Sequence, residues 1–337
     1  MDVLTPIWES LLERFPIGAH ENFFDLGGNP SLATRLFAEI ARVSGRELPA
    51  ITIYQAPTIS SLAFLLKQPE RARSSPLVLL KASAGKLPIF IAHGLGSSVM
   101  ELFHIVKHLE PGRPVYGLQA RGIDGVSTPF RSIEENALVC LDAIKQIQPN
   151  GPYFLIGYSL GGLVMLEIAQ QLASTGERVG LLAMVDSYPH ACWLSPAQRV
   201  LLATRIARRR ALAAMRLIRR MLFLAPAAPA KVDLDLAPLG GSSDTPAMQR
   251  VRDGAHLALR RYRPRPYRGG IKFVRARVTT TFPENPVPVW AHLAADFHVE
   301  TVPGDHVGLL GAHSETLASV LNRFLTLASS SNEMTPT

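Results

Sequence analysis

Apolar residues fall in two different rhythms along this chain, and the change comes near residue 77. Through residues 1–68 they recur every three or four positions, the period of an amphipathic helix. Ile7, Leu11, Leu12 and Phe15 make a first stripe, and Thr5-Pro6 offers a helix start just before it. A turn-rich stretch, Asp25 to Pro30, follows. Leu32, Leu36, Ile40 and Val43 then make a second stripe, and Thr58 caps a short third one bearing Ile59, Leu62, Phe64 and Leu65. This part reads as a small all-helical bundle. The polar, proline-bounded segment 69–76 reads as a linker.

From Val78 the pattern becomes short apolar runs separated by helical stretches. Pro88–Ala92, Val115–Leu118, Tyr153–Ile156, Leu181–Val185, Ile271–Val274 and Phe297–Val302 read as buried strands. Helical spacing lies between them around 132–148 and 160–175, with a last helix at 313–326. Such alternation predicts a mostly parallel sheet with helices on both faces. A long insert, about 193–262, breaks the rhythm. The tail, 329–337, is expected to be disordered. The second domain is therefore expected over 77–328, with no internal repeat.

The strongest chemical signal is Gly157-Tyr158-Ser159-Leu160-Gly161-Gly162, between a predicted strand and a predicted helix. That setting gives G-x-S-x-G its meaning: a tight turn that lifts a serine above the edge of an α/β-hydrolase sheet. The helix N-terminus behind it favours developing negative charge. A serine hydroxyl needs a base, and the base an orienting acid, in chain order Ser, acid, His. Asp186 ends a strand at the carboxyl edge and is the expected acid. Asp233, Asp235, Asp244, Asp253, Asp296 and Asp305 are the alternatives. His306, in the turn after the last strand, is the expected base, with His313, His292 and His298 less well placed. An oxyanion hole needs two backbone N–H groups. Leu160 follows the nucleophile and supplies one, and Leu95 in the glycine-bearing loop after Pro88–Ala92 supplies the other. His93 is expected to shape that loop. His104 and His108 stand four apart on a helix without a third ligand, so no metal is expected.

Composition narrows the classes. The chain is 47% hydrophobic and 18% charged, enough for sizeable cores and too apolar for disorder. No apolar run is long enough to span a membrane. No signal peptide is expected at the N-terminus. Cys140 and Cys192 show no disulfide or metal spacing, so a cytoplasmic protein is expected. The net charge of +8 does not point to nucleic acid. It is concentrated between Asp186 and Asp233, where no acidic residue appears and Arg199, Arg205, Arg208–Arg210, Arg216, Arg219, Arg220 and Lys231 do.

With these residues in hand a resemblance is visible. Residues 77–328 resemble the type I thioesterase domains that end nonribosomal peptide and polyketide synthetases, through Pro88–Gly94, Val115–Gly125, Gly157–Gly162 and Val302–His306. Residues 1–68 resemble the peptidyl carrier domain before such thioesterases, through Ile17–Gly28 and Leu32–Leu36. The resemblance implies an acyl or peptidyl thioester released through an acyl-Ser159 intermediate, by hydrolysis or cyclisation. It implies synthetase modules, carrier proteins or CoA as partners, and a helical lid in the insert. It also implies a 4′-phosphopantetheine arm on a serine two residues after the second glycine. Pro30 stands there, and Ser31 comes one residue late, a rotation of roughly 100° on a helix. Ser31 is thus the possible attachment site, against a docking module with no arm. On the insert, Leu201, Leu202, Ile206, Ala213, Leu217 and Met221 are expected on one face, and Arg205, Arg209, Arg216 and Arg220 on the other. That basic face suits a solvated lid, a docking surface for an acidic carrier or a phosphate, or an interfacial membrane helix. Two rival functions remain: a non-catalytic acyl-binding or docking protein, and a general carboxylesterase.

Overall fold

The computed structural model describes residues 3–46, 48–67, 75–95, 98–222, 245–279 and 282–333. Four helices open the chain: α1 (Leu4–Leu12), α2 (Pro30–Ser44), α3 (Thr52–Gln55) and α4 (Ile59–Lys67). Their apolar stripes close on Trp8, Phe23, Leu36, Ile40, Ile53 and Ile59, each essentially fully buried. Asn29 caps α2 by accepting from Leu32 N–H at 3.0 Å, and Pro30 takes the first helical position, where its missing N–H costs nothing. Thr58 caps α4 through Ser61 N–H at 3.1 Å.

Three expectations fail at the edges of these helices. α1 starts at Leu4, so Thr5-Pro6 lies inside its first turn. Phe15 is past the end of α1 and 85% exposed, because Glu13 turns left-handed and stops the helix. Phe64 and Val43 also face out, since the bundle is too small to cover a full stripe on every helix. Of the expected linker, residues 69–74 lie outside the described residues.

The second region begins with β1 (Leu77–Lys81), a strand the apolar pattern did not single out. β2 (Ile89–Ala92), a 3-10 turn (Val99–Leu102), α5 (Phe103–His108), β3 (Val115–Leu118) and α6 (Ile133–Ile147) follow. Then come β4 (Tyr153–Tyr158), α7 (Leu160–Ser174) and β5 (Val179–Val185). The insert holds α8 (Pro196–Leu222) and α9 (Pro246–Arg261). β6 (Tyr267–Ala276), α10 (Val287–Trp290), β7 (Ala294–Val302) and α11 (Ser314–Glu333) complete the fold. α11 runs through 329–333, part of the tail expected to be disordered; Leu321, Phe324 and Leu325 bury its apolar face and carry the helix on.

The seven strands order as β1-β3-β2-β4-β5-β6-β7, with β1 antiparallel to β3 and the rest parallel. One apolar cluster fills each face of the sheet: α6, α7 and α9 cover one, and α5 and α11 the other. The chain reverses its direction across the sheet between β2 and β4. In open α/β sheets the crevice at that reversal, past the carboxyl ends of the strands, is where ligands bind.

The insert departs from the expected faces at Leu201 and Arg205, while Leu202 and Ile206 are half-buried. Leu201 is 69% exposed, whereas the Arg205 guanidinium turns inward and donates to the Thr279 carbonyl at 2.6 Å and its hydroxyl at 2.7 Å. Leu202 packs on the sheet-side core. Nothing is described of the side chains of Arg209, Ala213, Arg216, Leu217, Arg220 and Met221, and residues 223–244 lie outside the described residues.

Candidate active site

Three loops at the carboxyl edge of the sheet meet here. After β4 the chain turns at Ser159 with φ 54° and ψ −121°, a region a non-glycine residue rarely occupies. Ser159 N–H donates to the Val185 carbonyl at 2.9 Å, which ties the turn to the end of β5. α7 can start at once because Gly157, Gly161 and Gly162 leave room for the turn. A Cβ on Gly157 would overlap the backbone of Gly161 and Gly162, and one on Gly161 would lie 2.5 Å from the Ala92 carbonyl oxygen.

Asp186 follows β5, also at positive φ (45°), with its N–H on the Val274 carbonyl at 2.7 Å. It is 1% exposed. Its Oδ1 accepts from Ala276 N–H at 3.2 Å and its Oδ2 meets His306 Nδ1 at 2.8 Å. His306 Nε2 lies 3.1 Å from Ser159 Oγ. An ionised carboxylate only accepts, so the pair places the imidazole proton on Nδ1 and turns the Nε2 lone pair to the serine hydroxyl.

The imidazole is held by more than Asp186. Tyr158 stacks on it at 4.8 Å between ring centroids and donates its hydroxyl to the His306 carbonyl at 2.8 Å. Phe282 covers it from another side at 4.9 Å. Burial pushes the Tyr158 hydroxyl far above its ordinary range, so it stays a neutral donor. Asp305 accepts from Gly308 N–H at 2.7 Å and shapes the turn. Of the other acids, Asp296 pairs with Lys272 at 3.1 Å and Asp253 sits on α9; Asp233, Asp235 and Asp244 lie outside the described residues. Tyr158 and Phe282 were not foreseen, although Tyr158 is the variable position of the motif itself.

The loop after β2 faces this turn. Its Gly94 N–H is taken by the Glu101 carboxylate, and His93 Nδ1 sits 2.8 Å from the Gly94 carbonyl. Burial holds His93 below the usual imidazole value, against the opposing pull of Glu101 and of that carbonyl, so the ring is neutral at pH 7. Leu95 is the next residue, and Gly96–Ser97 lie outside the described residues. A narrow cleft of about 60 Å³ runs between this loop, Leu160, Phe130 and α9, with mostly apolar walls. No cluster of His, Cys, Asp or Glu suited to a metal occurs among the described residues. No described helix is long and apolar enough to cross a membrane.

In the helical bundle, Ser31 occupies the second position of α2 and is exposed. An exposed hydroxyl at a helix start is chemically able to take a phosphodiester-linked arm; Pro30 beside it has no hydroxyl to offer.

Two family models match the chain: the phosphopantetheine attachment site over residues 2–66 and the thioesterase domain over residues 87–235. Malpibaldin synthetase of Mortierella alpina is 42% identical over 188 residues, 55% of this chain and 3% of that protein. Indigoidine synthase of Dickeya dadantii is 39% identical over 173 residues, 51% of this chain and 12% of that protein. The chain thus spans a small part of the length of these relatives. A four-domain nonribosomal peptide synthetase bound to AMP and glycine shares the fold at a TM-score of 0.57 and 23% identity, over 100% of this chain and 26% of that one. The NocB thioesterase domain from the nocardicin cluster does so at 0.54 and 20%, over 75% of this chain and 100% of that one. A phosphopantetheine attachment site over residues 2–66 is thus followed by a thioesterase domain over residues 87–235 with the α/β-hydrolase fold, and the chain is similar to carrier–thioesterase regions of nonribosomal peptide synthetases.

Proposed function

We propose that this protein cleaves an acyl or peptidyl thioester of phosphopantetheine through a covalent acyl-Ser159 intermediate. The observation that carries the reading is the continuous path from Ser159 Oγ to His306 Nε2 at 3.1 Å and from His306 Nδ1 to Asp186 Oδ2 at 2.8 Å. Ser159 attacks the thioester carbon as its proton passes to His306 Nε2. Asp186 stabilises the imidazolium and holds its orientation. The oxyanion is received by the N–H groups of Leu160 and Leu95. Leu160 heads α7, where an N–H has no helical partner. The neighbouring Gly94 N–H is already engaged by Glu101. The tetrahedral intermediate collapses, the C–S bond breaks, and His306 returns the proton to the thiolate. Water, or a nucleophile within the acyl chain, then releases the acyl group by the reverse use of His306.

The carrier unit is read as residues 1–68 and the thioesterase unit as 77–328, with a lid over 193–262. A 4′-phosphopantetheine arm, when bound, supplies the thiol that carries the acyl chain, and Ser31 is the residue that would hold it. Pro30 at the first position of α2 favours a second reading of this unit alone, as a docking module without an arm. Synthetase modules, or CoA, are the partners this chemistry needs.

A fluorophosphonate probe should label Ser159, and Ser159→Ala should abolish both labelling and thioester turnover. Asp186→Asn should keep the fold and lower kcat by about 10⁴. Turnover surviving in Ser159→Ala, or label on another residue, overturns the reading. An acyl-pantetheine should be cleaved in preference to the matching oxygen ester; equal turnover would point to a general carboxylesterase.

A further inference from the structure

The cleft beside Ser159 contains a buried polar group that the steps above leave idle. Gln119, just past the end of β3, lines the cleft and is 5% exposed. Its Oε1 accepts from Val99 N–H at 3.3 Å. That bond fixes the orientation of the side-chain amide: the oxygen faces Val99, so the NH2 end is the other one. Gln119 Nε2 is buried and meets no hydrogen-bond acceptor among the described residues.

Other polar side chains around the cleft have partners. Ser132 caps α6, accepting from Glu135 N–H at 3.3 Å and donating to Glu134. His93 faces the Gly94 carbonyl. Arg121 lies over the Phe130 ring at 5.3 Å, with Glu135 at 3.9 Å. The rest of the wall is largely aliphatic, including Leu118, Ile133, Val164, Val251 and Ala258. A buried donor without an acceptor is costly, and folded proteins keep few of them. When such a group sits on the wall of a cleft next to a nucleophile, the occupant of the cleft is the natural source of the missing acceptor.

We propose that Gln119 is a specificity residue of the acyl cleft, donating from Nε2 to a neutral carbonyl oxygen within the bound acyl chain. The cleft then selects acyl thioesters that carry an amide or ketone oxygen a few atoms beyond the thioester carbon, over chains of plain methylenes. This inference rests on the thioesterase reading and adds to it the chemistry of the chain. The discrimination is asymmetric for a physical reason. A methylene chain fills the aliphatic walls equally well but leaves the Gln119 donor dry, and sites built around a hydrogen bond reject the analogue that lacks it far more strongly than apolar pockets reject a change in size. The donor is neutral, so it favours a carbonyl rather than a carboxylate.

The test uses the full chain and a short series of pantetheine thioesters in which one carbonyl is moved along the acyl chain, each matched with its methylene analogue. The readout is the ratio of kcat/KM within a pair, on which general damage to fold or nucleophile falls equally. The wild-type protein should prefer the carbonyl member at one position by about tenfold to a hundredfold. Gln119→Glu keeps an oxygen for Val99 N–H and removes the donor, and it should collapse or invert that ratio. Gln119→Leu should collapse it as well. A wild-type ratio near one at every position overturns the proposal. So does a ratio kept in both variants, which would leave Gln119 only its bond to Val99. If neither chain is turned over and Ser159 takes no fluorophosphonate label, the thioesterase reading itself fails and takes this inference with it.

Discussion

At the scale of single residues, the site is built from strained backbone held by neighbours. Ser159 and Asp186 both sit at positive φ without being glycine, and each is pinned by an N–H bond to the adjoining strand, at 2.9 and 2.7 Å. Such conformations cost of order 1–3 kcal/mol each and persist only where packing over-determines them. The glycines around Ser159 are part of that packing. A Cβ at Gly157 would strike backbone, whereas one at Gly162 would strike chiefly the Ser187 side chain. The Ser187 hydroxyl can rotate aside, its Cβ moves only with its own backbone, and at Gly157 the nearest contacts are all with helix backbone. Gly162→Ala should therefore cost about 1–3 kcal/mol, and Gly157→Ala more than that, measured by urea unfolding. Equal losses would show that Ser187 is held as rigidly as the helix itself.

At the scale of elements, the 3-10 turn Val99–Leu102 does more than connect β2 to α5. Val99 N–H orients Gln119, and Glu101 holds Gly94 N–H and with it the loop that carries Leu95. Met100 packs against the helical bundle. On the proposed function, Glu101 is thus a positioning residue for Leu95, the oxyanion donor that reading assigns to this loop. Glu101→Leu should lower kcat by up to about a hundredfold with little change in KM, below the full loss of an oxyanion donor. Glu101→Gln keeps an acceptor for Gly94 N–H and should restore most of the rate. A fall in stability with kcat unmoved would reduce Glu101 to a structural cap. No motif flags Glu101; it is visible only once the turn brings it back onto Gly94. The insert teaches a related lesson. Leu and Arg alternate on α8 so that more than one stripe satisfies helical spacing, and the stripe that wins is chosen by the Thr279 carbonyl that Arg205 reaches.

At the scale of the whole molecule, the helical bundle is seated on the thioesterase region. Phe24 meets Phe103 at 5.6 Å and Tyr54 at 4.6 Å, and Ile51 belongs to the same apolar cluster as β2 and α11. The helical bundle therefore touches the element whose Glu101 holds Gly94 N–H. Whether it also delivers substrate turns on one hydroxyl. Incubation with a phosphopantetheinyl transferase and CoA should add one arm, lost in Ser31→Ala, when the shifted serine is read. No gain in mass leaves the docking module without an arm. The contrast between Pro30 and Ser31 is legible in the sequence, and the exposure of Ser31 at the start of α2 keeps its hydroxyl accessible.

The sequence by itself determined the order of the main helices and of every strand but β1, the two-domain order and the turn at Ser159. Those features depend on local spacing: a period of three to four in the bundle, short apolar runs in the sheet, glycines where backbone must pass close. It also named the three side chains that the fold brings within hydrogen-bond reach, because strand ends in a parallel sheet collect at one edge. Only the tertiary structure decided what surrounds them. Tyr158 and Phe282 meet the imidazole of a later segment, Gln119 reaches back past β3 to Val99, Glu101 bends back onto Gly94 seven residues earlier, and no local pattern encodes these contacts. The same holds for which face of α8 is buried and how far α11 extends. Each was settled by a partner found after folding, a carbonyl or an apolar surface, that the chain's own periodicity does not contain.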